Sequence, residues 1–420
     1  MDYLIIGNGV ASVGAIEAIR SIDREGPITV ISSEPHRVYG RPLISSLLSG
    51  KIREKDIFYR PEDFYESNNV TALLGKTVSE IRAGVRQVIL ESGEVLPFGK
   101  LLIATGGVPF IPPIEGRHGP DVYLFTTLDD ARKLDSLAEK VTDVVVLGGG
   151  LIGLKAAESL HDRGMKVTVV ELADRILSAA FDAQAGRIIA KRLADVGIEL
   201  VLNNTVKEIV RARKRVKSVV LNDGKWLPCS AVVIAIGVVP NKGLAEKAGI
   251  KVNRGILTDS SMETDVPGIF AAGDVAEAAD MLWGDNRVTP IWPNAYVQGR
   301  HAGLAMAGAA KAYAGSIPMN SIEFYGTPTV SMGISNPPAE GFETLARLET
   351  DHNFYRKIVL REGRLVGAVL VGRIERSGVL SGLIQRGTNV ESIKQELLRD
   401  DFGFSDLPAE TRQELLSAHA

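Results

Sequence analysis

Two glycines and an acid near the N-terminus have the spacing of a dinucleotide site. Gly7 and Gly9 follow a short apolar run at 2–6, typical of a buried strand, and precede a helical pattern. The first glycine permits a tight turn, and the second lets backbone N–H groups approach a pyrophosphate at the helix N-terminus. Glu34 follows a second strand, near the spacing of about 20 residues expected for a ribose ligand. Ser12 replaces the third glycine and is small enough for the helix to pack on the strand.

The same pattern returns later in the chain. A strand at 144–147 is followed by Gly148, Gly150 and Gly153, a complete GxGxxG, and a second strand ends at Glu171. A carboxylate there accepts hydrogen bonds from ribose hydroxyls and repels a 2′-phosphate, so it favours NAD over NADP. Arg175 nearby weakens that preference, because it could reach a phosphate. The alternative is that one of the two copies is a structural βαβ unit with no ligand.

Composition narrows the classes of protein. The 420 residues are 45% hydrophobic and 24% charged, with a formal net charge of −3, which implies no bulk attraction to nucleic acid. No apolar run reaches about 18 residues, and the first strand begins at once, so we expect neither a membrane span nor a signal peptide. The single cysteine, Cys229, excludes an internal disulfide, and the six histidines show no metal-ligand spacing. We therefore expect a cytoplasmic protein without a metal site.

Three further stretches carry a resemblance to a known family. The segments 104–109 (ATGGVP), 235–241 (AIGVVPN) and 264–274 (TDVPGIFAAGD) occur in the order found in FAD- and NAD-dependent pyridine-nucleotide oxidoreductases, which this chain resembles. The resemblance implies an α/β fold with two Rossmann-like dinucleotide-binding domains and an α+β C-terminal domain. It places FAD on 1–110 and 242–317, and NAD on an inserted domain at 111–241. Residues 318–420 would serve dimerisation or partner docking.

The resemblance also assigns the cofactor contacts. For FAD it implies Gly7, Gly9, Val10, Ala11, Ser12, Glu34, Arg41, Pro42, Ser46, Val78, Ala104, Thr105, Gly106, Gly273, Asp274, Asn294 and Ala295. In the family the aspartate at position 274 hydrogen-bonds the ribityl chain. For NAD it implies Gly148, Gly150, Leu151, Ile152, Gly153, Glu171 and Gly237.

The segment 39–45 (YGRPLIS) narrows the resemblance to a branch of the family. It is similar to rubredoxin reductases, ferredoxin reductases, the FAD part of large nitrite reductase subunits and the flavin subunit of phenylglyoxylate dehydrogenase. Disulfide reductases carry redox cysteines in this region, and this chain has none, which excludes thiol chemistry at the flavin.

The implied function is electron transfer between NAD(H) and an iron–sulfur or rubredoxin-type partner through FAD. The chain would act as a homodimer or within a larger complex, such as a 2-oxoacid dehydrogenase. An alternative from another class is an FAD-binding docking subunit with little activity of its own.

Two positions depart from the pattern of this branch. Reductases with the RPxLS segment often carry Lys just after the Ser, where this chain has Ser46. They often carry Glu two residues after the last fingerprint glycine, where this chain has Lys155. We hypothesise that Lys155 is a catalytic residue that supplies the cation near the flavin. The alternative is that Lys155 contacts only the NAD pyrophosphate or solvent.

Several other segments are given structural interpretations. The basic run at 211–217 is interpreted as a solvated hairpin tip rather than a nucleic-acid site, and Cys229 as a buried, inert thiol. Alternation at 70–96 predicts an antiparallel meander, and 354–371 a hairpin around Glu362. Trp292 precedes a Gly- and Ala-rich helix and is either a flavin neighbour or a structural aromatic residue.

Overall fold

The computed structural model describes residues 2–137, 141–349 and 353–417. No helix in these three ranges is long and apolar enough to cross a bilayer. The strands are β1 Tyr3–Ile6, β2 Ile28–Ser32, β3 Val70–Leu74, β4 Val78–Arg82, β5 Gln87–Leu90, β6 Val95–Pro97, β7 Lys100–Ile103, β8 Gly107–Pro109, β9 Val122–Leu124, β10 Asp143–Leu147, β11 Lys166–Val170, β12 Glu199–Val201, β13 Val206–Ala212, β14 Arg215–Leu221, β15 Trp226–Pro228, β16 Ala231–Ile234, β17 Val238–Pro240, β18 Ile256–Leu257, β19 Ile269–Ala271, β20 Ala276–Ala279, β21 Asn286–Arg287, β22 Met319–Phe324, β23 Thr327–Gly333, β24 Glu343–Glu349, β25 Phe354–Arg361 and β26 Arg364–Val371.

The α-helices are short to medium in length. They are α1 Val10–Ile22, α2 Ile44–Leu48, α3 Phe64–Ser67, α4 Leu128–Asp135, α5 Leu151–Asp162, α6 Ala183–Asp195, α7 Gly243–Lys247, α8 Trp292–Met306, α9 Ser377–Gln385 and α10 Ala409–Ser417. Single turns of 3₁₀-helix lie between some of them, including Arg41–Leu43 just before α2.

The first compact unit comprises residues up to Phe110, Thr126–Asp135 and Gly237–Ser316. Its sheet has the order β19-β7-β1-β2-β3, and every pairing is parallel. All four side chains of β1 are buried, as expected for a strand covered on both faces. With β1 in the centre, β2 and β3 lie on one side and β7 and β19 on the other. This is the strand order of a doubly wound dinucleotide-binding fold.

Helices α1 and α8 pack against each other through glycines. A Cβ on Gly299 would lie 2.0 Å from the carbonyl oxygen of Ala11, and one on Gly303 would lie 2.5 Å from that of Ala15. Only glycine permits this approach, since a methyl group would overlap the facing backbone. The contact holds the first turn of α1 against α8, two elements predicted to bind FAD.

The predicted meander is partly wrong. Strands β4, β5 and β6 form the antiparallel sheet expected, but β3 pairs in parallel with β2 in the main sheet. The local alternation could not show this, because β3 is the edge strand and its side chains are only partly buried. Two small additional sheets complete the unit, the ribbon β8–β17 and the sheet β18-β20-β21.

The second compact unit comprises Ile111–Phe125, the segment from Ser136 to Ile236, and the chain from Ile317 onward. Its parallel sheet has the order β12-β11-β10-β16-β9, which repeats the doubly wound arrangement. The antiparallel sheet β13-β14-β15 is inserted in the chain between β12 and β16. The C-terminal part forms the antiparallel sheet β22-β23-β26-β25-β24. The hairpin predicted around Glu362 is confirmed as β25–β26.

The predicted fold class is therefore confirmed: two parallel α/β sheets and a C-terminal sheet domain. The C-terminal core is formed mainly by β25 and β26, in which nearly every side chain is buried. The predicted division into three domains at 110, 241 and 317 stays a prediction.

Candidate dinucleotide sites

The first glycine turn joins β1 to α1. Gly7 has φ 112°, and a Cβ there would lie 2.1 Å from the carbonyl oxygen of Ala104, so no larger residue fits this turn. The hydroxyl of Ser12 donates to the carbonyl of Gly7 at 2.7 Å. Ser12 thus stands at the place of a third glycine and also fixes the turn.

The N-terminus of α1 is built to receive a ligand rather than a side chain. Gly9 is its N-cap residue with φ −100°, its first turn carries no acidic residue, and among the described residues no side chain caps it. Beyond the adjoining backbone, no heavy atom of the described chain lies within 4 Å of the position that a Cβ on Gly9 would take. The first-turn N–H groups and the positive end of the helix dipole therefore suit an anion such as a pyrophosphate.

Glu34 is held by two residues that its own segment supplies. The hydroxyl of Tyr39 donates to Oε2 at 2.7 Å, and Nη2 of Arg41 donates to Oε1 at 2.6 Å. Each carboxylate oxygen keeps a lone pair, so Glu34 can still accept ribose hydroxyls. Burial, followed by the charge of Glu34, raises the pKa of Tyr39, which keeps its hydroxyl a donor, although the charge of Arg41 opposes the shift.

The segment before α4 completes this arrangement. Nη1 of Arg41 donates to the carbonyl of Thr126 at 2.6 Å, and the N–H of Leu128 donates to the hydroxyl of Tyr39 at 3.1 Å. Sequence reasoning missed Tyr39 and this segment as supports, because a backbone carbonyl and N–H 80 or more residues away leave no sequence signal.

The second FAD motif is brought to the first one. A Cβ on Gly273 would lie 3.3 Å from Cβ of Ala11 and 3.5 Å from Cβ of Ala295, so these three predicted residues meet. The N–H of Gly273 donates to Oε1 of Gln298 at 2.8 Å, a buried contact that the sequence did not indicate. Burial raises the pKa of Asp274, and the positive charge of Arg41 partly opposes that rise.

Two predicted FAD residues have their side chains occupied within the protein. The hydroxyl of Thr105 donates to the carbonyl of Asn241 at 2.8 Å. The amide of Asn294 donates to the carbonyl of Thr289 at 3.0 Å and accepts from the hydroxyl of Tyr313 at 2.5 Å. Both residues would therefore face a ligand mainly with backbone atoms.

The remaining predicted FAD residues lie on several elements of the first unit. Gly106 has φ 66° with open space beside it, and Val78 is buried in β4. Pro42 lies in the 3₁₀ turn and Ser46 in α2, where the carbonyl of Ser46 accepts backbone hydrogen bonds from Lys51 and Ile52.

The second glycine turn repeats the geometry of the first. Gly148 has φ 115°, and its Cβ would lie 2.4 Å from the carbonyl oxygen of Ala235; a Cβ on Gly153 would lie 2.0 Å from that of Gly148. Gly150 is the N-cap residue of α5, with no capping side chain among the described residues and open space around its Cβ position. Leu151 and Ile152 form the half-buried first turn. The chemistry of a pyrophosphate fits here also.

Glu171 lies against this turn. Its Oε2 accepts from the N–H of Gly149 at 2.5 Å, and its Oε1 accepts from the N–H of Ala173 at 2.8 Å. Both oxygens are fixed and both keep a lone pair, which suits a ribose diol. Gly237, the last predicted NAD residue, has φ 113° and open space beside it.

Lys155 lies in the second turn of α5. Its ammonium donates to the buried carboxylate of Glu158 and, at 3.4 Å, to the carbonyl of Glu323. The same ammonium lies 5.7 Å from the centroid of the Phe324 ring. Lys155 thus has protein partners on α5 and β22, and its catalytic role stays a prediction.

The predicted burial of Cys229 and the predicted hairpin at the basic run are confirmed. Cys229 is buried, and burial raises the pKa of its thiol to about 12. The basic run forms the β13–β14 hairpin with its turn at Arg213 and Lys214, and Arg211 donates to the carbonyls of Gly116 and Pro120.

Comparison with known proteins identifies the family. Residues 1–299 match the pyridine nucleotide-disulphide oxidoreductase model, and residues 318–388 match the rubredoxin NAD+ reductase C-terminal domain. The chain is 34% identical over 399 residues to the NADH-dependent phenylglyoxylate dehydrogenase subunit epsilon of Aromatoleum evansii, covering 94% of each chain. It is 34% identical to the nitrite reductase [NAD(P)H] of Bacillus subtilis, but spans only 49% of that protein's length.

A solved structure agrees. The reductase of a covalent putidaredoxin reductase–putidaredoxin complex superposes with a TM-score of 0.87 at 25% identity, over 99% of this chain and 98% of that one. The family recognised from the motifs is thereby confirmed, with FAD and NAD(H) as its cofactors. The chain belongs to the pyridine nucleotide-disulphide oxidoreductase family and ends in a domain of the rubredoxin NAD+ reductase C-terminal type.

Proposed function

We propose that the chain is an NADH-dependent flavoprotein that exchanges electrons with an iron–sulfur or rubredoxin-type partner. One observation carries the proposal: two glycine turns, at Gly9 and Gly150, each open onto a helix, of 13 and 12 residues respectively, whose N-terminus has no capping side chain in the described chain. Each turn has a carboxylate at the ribose position, Glu34 or Glu171. FAD, when bound, supplies the conversion between two-electron and one-electron transfer.

Each residue set has a binding task in this proposal. Gly7, Gly9 and the first turn of α1 would hold the FAD pyrophosphate, with Glu34 at the ribose and Asp274 at the ribityl chain. Gly148, Gly150 and the first turn of α5 would hold NAD(H), with Glu171 at its adenosine ribose. The assignment of all the predicted FAD and NAD contacts, Lys155 included, forms part of this proposal.

The electron partner is proposed from chemistry and from the relatives. The chain has a single, buried cysteine with a raised thiol pKa, so electrons cannot pass to a disulfide of its own. The relatives matched over nearly their whole length include a subunit of a dehydrogenase and a rubredoxin-NAD(+) reductase of Alcanivorax borkumensis. We propose that the C-terminal domain at 318–420 docks this partner or a second copy of the chain. We also propose a cytoplasmic location, where NAD(H) is held.

A steady-state assay tests the proposal. Purified FAD-loaded protein is given NADH and, in parallel, rubredoxin, a [2Fe–2S] ferredoxin or the disulfide of glutathione as acceptor. The proposal predicts reduction of at least one metalloprotein and none of the disulfide. Reduction of the disulfide alone would contradict it. Failure with every acceptor, despite bound FAD, would favour the docking-subunit alternative.

A further inference from the structure

The segment between the end of β11 and the start of α6, residues 171–182, is tied to the NAD glycine turn; we call it the strap. At its first residue, the carboxylate of Glu171 accepts from the N–H of Gly149 at 2.5 Å. Further along, the N–H of Leu177 donates to the carbonyl of Gly149 at 2.8 Å. Both backbone polar groups of the central glycine of the turn are thus bonded to the strap.

The middle of the strap is held in one conformation. Ile176, Leu177 and Phe181 are buried, with exposures of 1%, 2% and 0%. Leu177 has φ 56°, a left-handed conformation that a leucine adopts only when its surroundings enforce it. A displacement at one end of this buried middle part is transmitted along it, because its packed side chains have little room to absorb the movement.

The far end of the strap is bonded to the C-terminal sheet. Asp182 caps α6 with Oδ1, which accepts from the N–H of Ala185 at 3.0 Å. Its Oδ2 accepts from the hydroxyl of Tyr355 at 2.6 Å and lies 3.1 Å from Nζ of Lys357. Asn336 donates its amide to the carbonyls of two strap residues, each at 3.2 Å: Ser178 and Phe181.

These contacts are better suited to fixing geometry than to adding stability. Lys357 is a buried cation whose other partner is the carbonyl of Ser335 at 3.0 Å, and its side chain and that of Asp182 are 11% and 16% exposed. Removing such a pair from water costs about as much free energy as the pairing returns, so an apolar pair would stabilise the fold at least as well. What the pair supplies is a defined position for Asp182.

We propose that Tyr355 and Lys357 on β25, and Asn336 in the loop after β23, are positioning residues for NAD(H) that act through the strap on Glu171 and Gly149. The inference rests on the proposed NAD(H) site. Each of the three is bonded to the strap, whose first residue supplies the ribose acceptor. The C-terminal domain therefore contributes to dinucleotide affinity in addition to any docking role.

The test uses the FAD-loaded protein and ADP-ribose, a probe that carries the adenosine ribose and pyrophosphate but no nicotinamide. Its Kd is measured by titration calorimetry for the native protein, Tyr355→Phe and Asn336→Ala. We expect Kd to rise about fivefold in each variant, because only part of the hydrogen-bond energy lost at the strap reaches the nucleotide site. The KM for NADH should rise in parallel while kcat is unchanged.

Thr329→Val is the matched control. Thr329 is fully buried in β23 of the same sheet, and its hydroxyl donates to the carbonyl of Ile322 at 2.7 Å without contacting the strap. Its Kd for ADP-ribose should equal that of the native protein. If Tyr355→Phe and Asn336→Ala lower only the melting temperature and leave Kd unchanged, the positioning role is wrong. If the native protein itself fails to bind ADP-ribose, the proposed NAD(H) site is wrong as well.

Discussion

The ammonium of Lys155 donates a hydrogen bond to the carboxylate of Glu158, one turn further along α5. The side chain of Glu158 is 5% exposed and that of Lys155 is 26% exposed, so the pair is largely removed from water. The cation that we hypothesised from the sequence is therefore part of an ion pair with a buried carboxylate. A test of the effect of Lys155 on the flavin must therefore also control for the charge of Glu158.

The first prediction concerns Lys155→Met. If Lys155 acts on the flavin, the loss of its positive charge should lower the flavin reduction potential by about 20–45 mV, or about 1–2 kcal/mol in a two-electron couple. Lys155→Met with Glu158→Gln removes both charges and should restore the potential. Both potentials are read by redox titration without nucleotide. A single variant with the native potential would show that Lys155 does not act on the flavin.

A second prediction concerns Gly150→Ala, which should affect NADH binding without affecting the stability of the fold. An alanine there meets no described atom within 4 Å and needs no positive φ, so the melting temperature of Gly150→Ala should match that of the native protein. Its methyl group would occupy the space proposed for the NAD(H) pyrophosphate. We expect the KM for NADH to rise at least about tenfold, with FAD content unchanged. An unchanged KM for NADH would show that the nucleotide does not bind at this turn.

Gly7→Ala provides the opposite case. Its Cβ would lie 2.1 Å from a backbone oxygen, at φ 112°. We therefore expect that the first unit of this variant does not fold, or that the variant does not retain FAD. Soluble Gly7→Ala protein with full FAD content would contradict the tight turn.

A third prediction concerns nucleotide choice. Native protein should have a higher kcat/KM with NADH than with NADPH, because the carboxylate of Glu171 repels a 2′-phosphate. Glu171→Gln removes the charge and keeps one of the two backbone hydrogen bonds, because its NH2 group cannot accept from a backbone N–H, and the preference should fall by about tenfold or more. Glu199→Gln is the control, since Glu199 is an exposed acid on the neighbouring strand β12. A native protein that prefers NADPH would overturn the assignment.

The motifs predicted the glycine turns and the acids beside them, but not the side-chain contacts that hold those acids and the neighbouring segments in place. Both glycine turns and their acids were predicted because a parallel strand, a tight turn and a helix leave a local pattern. The bond from Tyr39 to Glu34 was missed, although both residues lie in recognised segments, because side-chain direction is set by packing. The contact of Tyr355 with Asp182 joins residues that no local pattern relates.

A fourth prediction concerns pH and Cys229. Burial raises the pKa of this thiol from its ordinary value of about 8.5 to about 12, so the thiol stays protonated at neutral pH. Iodoacetamide at neutral pH should leave NADH:ferricyanide activity intact. The protonated thiol also stabilises the fold below about pH 8.5, and this contribution should decline as pH rises toward 12. Between about pH 8.5 and 12, the free energy of unfolding should fall less in Cys229→Ala than in the native protein. An equal fall in both proteins would show that other groups cause the pH dependence.

The most direct test of the central claim is anaerobic stopped-flow mixing of the FAD-loaded chain with NADH, monitored by flavin absorbance. We expect the flavin absorbance to bleach within the turnover time, at a rate that saturates with NADH concentration, and we expect Gly150→Ala to shift the half-saturating concentration upward. Flavin that stays oxidised in excess NADH, while fully bound to the protein, would contradict the account.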